Sequence, residues 1–243
     1  MSCAMSLSVQ KIDRHCYEVF VDDVDAGIVR VDRNPFHSQN AYLKLELHEF
    51  KPELAHDLFA WFRMELGRPL QVMLSSQEEK MTKLLRSGGF ELRRRCYEVE
   101  GGIPDLKESV NEAMPLREAE PGDKAYDLCC NLLYRYYQTT HEAISPLTVS
   151  EREFRVGLPR HVFYQGNESS IYHAAFVEGN EIAYLCTEWV DDFPQFGCSL
   201  LGCMLRGSDT VFFESDDCDQ AAMMLRTMFQ NPGEESFDTY IFA

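Results

Sequence analysis

Apolar and polar positions along this chain follow two periods, and one succession of those periods occurs twice. Cys16 to Val21 alternates with period two, turns through Asp22 to Gly27 and resumes over Ile28 to Val31, which predicts an antiparallel pair of strands. Asn34-Pro35 breaks the pattern, and Ala41 to Leu47 predicts a third strand. After Lys51-Pro52-Glu53, the residues Leu54, Leu58, Phe59, Phe62 and Leu66 recur at helical spacing, and Gly67 marks the stop. A strand at 69–75, a helix at 77–87 and a strand at 90–100 complete the first half. The second half opens with a short strand, Leu116 to Ala119, and an amphipathic helix over 123–139. Ser150 and Glu153 have the spacing of a capping box ahead of a further helix. Strands follow at 161–165, 171–178 and 181–190, with Glu178-Gly179-Asn180 as a hairpin turn, and Gly197 to Leu205 predicts a helix. A strand from Thr210, a helix ending at Phe229 and a strand at 236–242 close the chain. The strand–helix–strand order of 69–100 therefore returns at 210–242, which predicts two similar units: 1–100, a linker at 101–113, and 114–243. The expected class is α/β, each unit a mixed, twisted sheet packed by helices.

Charge narrows the partners. Forty acidic side chains stand against 23 basic ones in 243 residues, a formal charge of -17. Such a surface repels phosphate backbones and anionic lipid, so nucleic acid and membrane are disfavoured and a cationic partner such as an amine is attracted. The nine cysteines are odd in number and contain no C-x-x-C pair, which predicts free thiols in a reducing, cytoplasmic setting. No apolar run approaches the length of a membrane span, and no cleavable signal is visible. The histidines are scattered: His48 and His56 are eight apart, wider than a helical zinc pair, so no metal is expected. A homo-oligomer is left open.

Three stretches carry a family likeness. They are Leu116-Arg117-Glu118-Ala119-Glu120-Pro121-Gly122-Asp123, then Tyr172 to Leu185 around Gly179, and Leu84 to Phe90 ending Gly88-Gly89-Phe90. They resemble, respectively, the first strand and turn, the strand hairpin and the helix-to-strand junction of the GNAT superfamily of acyl-CoA-dependent N-acetyltransferases. The resemblance implies tandem GNAT-like units, acetyl-CoA as cosubstrate and a small amine or peptide amine as acceptor.

That family grips the pyrophosphate of coenzyme A with a loop of the form Q/R-x-x-G-x-G/A, whose backbone N–H groups meet the phosphates at a helix N-terminus. In the first half the corresponding stretch, Phe50 to His56, has no glycine and contains Pro52 and Glu53. Any coenzyme A site is therefore expected in the second half. There the resemblance places Gln195 near the leading position, with Phe196, Gly197, Cys198 and Ser199 offering amides. Tyr184, Cys186, Trp189 and Val190 would lie along the pantetheine, Glu188 would serve as base, and Tyr137 and His141 would contact the acceptor. Each has a plainer alternative: a strand-to-helix turn at Gly197, an exposed strand-end acid at Glu188, a capping histidine at 141. The loop is shortened, it retains one glycine, and neither copy supplies the tyrosine that returns a proton in this family. The expected function is an acyl-CoA-dependent N-acetyltransferase with the second unit active. The alternative is a non-catalytic GNAT-like binding or assembly module.

Overall fold

The structure is a computed structural model that describes residues 5–48, 50–107, 116–167 and 169–243. Residues 108–113 of the expected linker, and Met114 where the second unit was expected to begin, lie outside the described residues. The chain divides into two compact units. Unit 1 comprises Met1–Arg94, Ile144–Thr148 and Phe237–Ala243; unit 2 comprises Arg95–Ala143 and Val149–Ser236.

Unit 1 contains β1 (Leu7–Lys11), β2 (Cys16–Val21), β3 (Val24–Asp32), β4 (Ala41–Leu47), α1 (Ala55–Leu66), β5 (Leu70–Ser75), α2 (Glu79–Ser87), the first residues of β6 (Glu91–Gly101), and, from the end of the chain, β12 (Phe237–Phe242). Its sheet runs β1-β2-β3-β4-β5-β12, antiparallel except where β4 and β5 pair in parallel. Phe59 and Phe62 of α1, wholly buried, fill the core with Tyr17, Leu70, Leu85 and Tyr240. The Gly88-Gly89 junction has a mechanical cause. A Cβ on Gly88 would lie 2.3 Å from the Phe59 ring, and Gly89 takes a φ of +94°, where side chains are strained.

Unit 2 contains the rest of β6, then β7 (Arg117–Ala119), α3 (Lys124–His141), α4 (Glu151–Arg155), β8 (His161–Gly166), β9 (Ile171–Glu178), β10 (Glu181–Thr187), α5 (Phe193–Gly207), β11 (Val211–Asp216) and α6 (Gln220–Arg226). Its sheet runs β7-β8-β9-β10-β11-β6, antiparallel except for the parallel pair β10–β11. The capping box at α4 is present: Ser150 N donates to Glu153 Oε2 at 2.9 Å, and Ser150 Oγ accepts from Glu153 N. Phe193, Phe196, Leu200 and Leu201 of α5 pack on Phe213, Leu225 and Phe229.

Strand β1 was not expected and β10 ends at Thr187 rather than 190, and two further differences from the periodicity reading bear on the site. The last strand of each repeat does not stay with its own half. Cys96 to Gly101 of β6 pair with β11 in unit 2, while β12 pairs with β5 in unit 1. Alternation marks a strand but not its neighbour, so the exchange left no trace in the pattern. The second difference is where α5 begins. It starts at Phe193, not Gly197, because Pro194 sits in the first turn, where a missing N–H costs nothing.

Candidate active site

The parallel strands β10 and β11 pair only at Glu181 with Phe212 and at Ile182 with Phe213. A bulge between Ile182 and Tyr184 turns β10, and beyond it the residues Tyr184 to Thr187 keep only β9 as a strand partner among the described residues. The C-terminal ends of these two strands are where the expected site residues should meet.

Some do. Tyr137 of α3 stacks on His141 one turn later, ring centroids 3.9 Å apart and 14° from parallel, and meets the Tyr184 ring edge-on at 6.1 Å. His141 is buried, and its Nε2 lies 3.7 Å from Asp216 Oδ2 at the end of β11. Tyr137, His141 and Tyr184 therefore form one aromatic group, closed by Phe154 and joined by a carboxylate that the sequence reading did not single out. Asp216 ends an alternating strand, a position that periodicity reports only as polar.

A second, part-buried group lies beside Cys186. Tyr136 Oη donates to Asp219 Oδ1 at 2.6 Å, and Asp219 in turn caps α6 by accepting from Ala222 N at 3.1 Å. Burial pushes the Asp219 carboxyl up. The Tyr136 hydroxyl is pushed up as well, first by burial and then by the Asp219 charge. Burial, reinforced by Cys129 and Asp219, holds the Cys186 thiol well above its ordinary value. Cys186 is thus a packed thiol. Asp219 could have been found in the sequence, since an acid just ahead of Gln220-Ala221-Ala222 is an N-cap signal.

Glu188, the expected base, faces solvent as half of an ion pair, with its Oε1 3.1 Å from Arg135 Nη2. That surrounding is not the desolvated one the role requires. Trp189 is half exposed and stacked on Tyr172 at 4.3 Å, and Val190 opens a 3-10 turn, Val190–Asp192, that leads into α5.

The expected coenzyme grip does not fit the residues present. Gly197, Cys198 and Ser199 lie one turn inside α5, so their N–H groups bond to the carbonyls of residues 193, 194 and 195. A Cβ on Gly197 would lie 2.7 Å from Met228 Cε and 3.3 Å from Leu225 Cδ1, so this glycine serves close packing at the end of α6. Phe196 is wholly buried against His173 and Phe193. Gln195 and Ser199 border a cavity of about 110 Å³ with Arg117 and Tyr164, space for a few waters. At the helix start itself, Phe193 N is taken by Val190 O, Pro194 has no N–H, and Asp191 and Asp192 oppose an anion. Unit 1 repeats the deficiency. A 3-10 turn at Pro52–Leu54 precedes α1, with Leu54 N bonded to Lys51 O. Among the described residues no group of three or more potential metal ligands occurs, and no helix is long and apolar enough to cross a membrane.

No protein-family model and no curated protein matches the chain. Solved structures do. A tandem GNAT protein from the clavulanic acid biosynthesis pathway, 13% identical, is covered over 83% of its length by 98% of this chain with a TM-score of 0.52. A GCN5-related N-acetyltransferase from Kribbella flavida, also 13% identical, is covered over 88% of its length by 96% of this chain with a TM-score of 0.50. At such identity the likeness is one of fold. This chain is an α/β protein built of tandem GNAT-like units.

Proposed function

We infer that the protein is a GNAT-fold binding or assembly module without coenzyme A-dependent turnover. One observation carries the reading: the amides of Gly197, Cys198 and Ser199, where a pyrophosphate grip was expected, are consumed inside α5. The acid-rich, proline-bearing helix start and the matching stretch around Pro52 support it from both units. The charge of -17 suits a cationic or amine-bearing partner rather than nucleic acid.

A second reading is favoured by the parting of β10 and β11 after two residue pairs. It is transfer of an acyl group from acetyl-CoA to a small or peptide amine by unit 2, with Glu188 as base and Tyr137 and His141 at the acceptor. Thermal unfolding with acetyl-CoA separates the two. A ligand at about 100 times its Kd stabilises by roughly 2.7 kcal/mol, and a chain of this size shifts by about 2–4 °C per kcal/mol. The binding-module reading expects no shift. A clear shift together with thiol release on addition of an amine would replace it with the acyltransferase reading.

A further inference from the structure

The site of interest lies in unit 1, where β4 and β5 begin, the opposite end of those strands from the stretch around Pro52. A cavity of about 480 Å³ is lined there by Arg33, Asn34, Pro35, Ser38, Asn40 and Arg68. That volume is in the range of small-molecule sites. Arg33 follows the last residue of β3, and Arg68 lies two residues before the start of β5.

The walls are held in place by hydrogen bonds. Buried Asn40 donates to Gln71 Oε1 at 2.9 Å and to Ile144 O at 3.1 Å. Ser38 N and Ser38 Oγ both donate to Thr148 Oγ1 at 3.0 Å, and Thr148 Oγ1 donates to Phe36 O. Arg68 Nη1 donates to Ser38 O at 3.1 Å, which directs that guanidinium along the loop.

The cavity brings two basic side chains, Arg33 and Arg68, to one space. In a chain with 17 more acids than bases, a basic side chain has carboxylates in excess to pair with. Yet neither Arg33 nor Arg68 has a carboxylate within ion-pair distance among the described residues, and the adjacent acid, Asp32, is taken by Lys44 at 2.7 Å. Two guanidinium groups therefore border one concave space with no carboxylate paired to either among the described residues. A phosphate monoester matches them, with a charge of about -1.5 to -2 and three acceptor oxygens for the planar donor forks.

We propose that this cavity binds a small phosphorylated molecule through Arg33 and Arg68. The site goes beyond the binding-module reading and stands or falls separately from it, since it uses no residue of the β10–α5 region. The test is a titration of the full chain with inorganic phosphate and with ribose 5-phosphate at constant ionic strength, read from backbone amide shifts. Saturable shifts are expected at residues 33, 34, 36–40 and 68. Arg33→Gln should weaken binding by about tenfold or more, Arg33→Lys less, and Arg14→Gln, the same charge change outside the cavity, not at all. Because Arg33 is exposed, its replacement leaves the fold intact, which the unchanged remainder of the spectrum verifies. Absence of saturable shifts, equal weakening by Arg14→Gln and Arg33→Gln, or glutarate binding as tightly as phosphate would each overturn the proposal.

Discussion

Replacing Gly197 tests whether it is a packing residue or part of a loop. In the structure its missing side chain makes room for Met228 and Leu225 where α5 meets the end of α6. Gly197→Leu adds a helix-favouring residue, worth about 1 kcal/mol, but forces four carbons into a filled seam at a cost of about 1–3 kcal/mol. With the β-carbon already 2.7 Å from Met228 Cε, the cost falls in the upper part of that range, so a net loss of about 1–2 kcal/mol is expected. That lowers Tm by about 2–8 °C. Gly197→Ala should be close to neutral, because a single methyl meets the flexible tip of Met228 and, at 3.3 Å, the end of the Leu225 side chain, and the propensity gain offsets the adjustment. Met228→Ala combined with Gly197→Leu should recover part of the loss, with a coupling of about 0.5–3 kcal/mol in the double-mutant cycle. Urea and thermal unfolding followed by circular dichroism measure the parent, the three single variants and the double variant. If Gly197→Leu is as stable as the parent, or Met228→Ala brings no relief, the glycine does not sit in this seam.

Three further outcomes are expected. Burial lowers the pKa of His37 in unit 1 and His173 in unit 2, so below about pH 6.5 the unfolded chain binds more protons than the folded one. Stability should therefore fall between pH 7 and 5.5, by at most about 1.4 kcal/mol per pH unit for each histidine; His173→Gln should flatten the slope in urea titrations, and an unchanged slope would refute the assignment. Tyr136→Phe removes a donor from part-buried Asp219 and should cost about 1–3 kcal/mol in the same assay, whereas a neutral result would mean the 2.6 Å bond is not made. Burial pushes the Cys129 thiol up to about 12 and Cys130 to about 11, so mass spectrometry after iodoacetamide at pH 8 should find both unmodified in the folded protein and modified in urea.

Much of the fold was legible because period and punctuation agree. Gly67, the Ser150–Glu153 box and the Gly179 turn each mark an element end, and each does so in the structure. Three things were not legible, for one shared reason. The exchange of β6 and β12, the ion pair that holds Glu188, and Asp216 beside His141 all depend on which distant residue lies opposite. Local pattern carries no such information. The start of α5 was different: the helix was expected from Gly197, yet Pro194 occupies the one part of a helix that accepts a proline, so α5 begins at Phe193 and Gly197 lies one turn inside it. The ring contacts of Tyr137 with His141 and Tyr184 join residues that the resemblance assigns to two different roles, acceptor and pantetheine, and that grouping too depends on which strand lies opposite α3.

The account depends on where the amide hydrogens of Gly197, Cys198 and Ser199 go. Native-state hydrogen exchange, resolved residue by residue without ligand, measures this directly. Hydrogen bonding inside α5 predicts protection at these three amides comparable to that at Leu200 and Leu201 in the same helix. Fast exchange at 197–199 that slows only when acetyl-CoA is added would contradict it, since the amides would then be free to hold pyrophosphate.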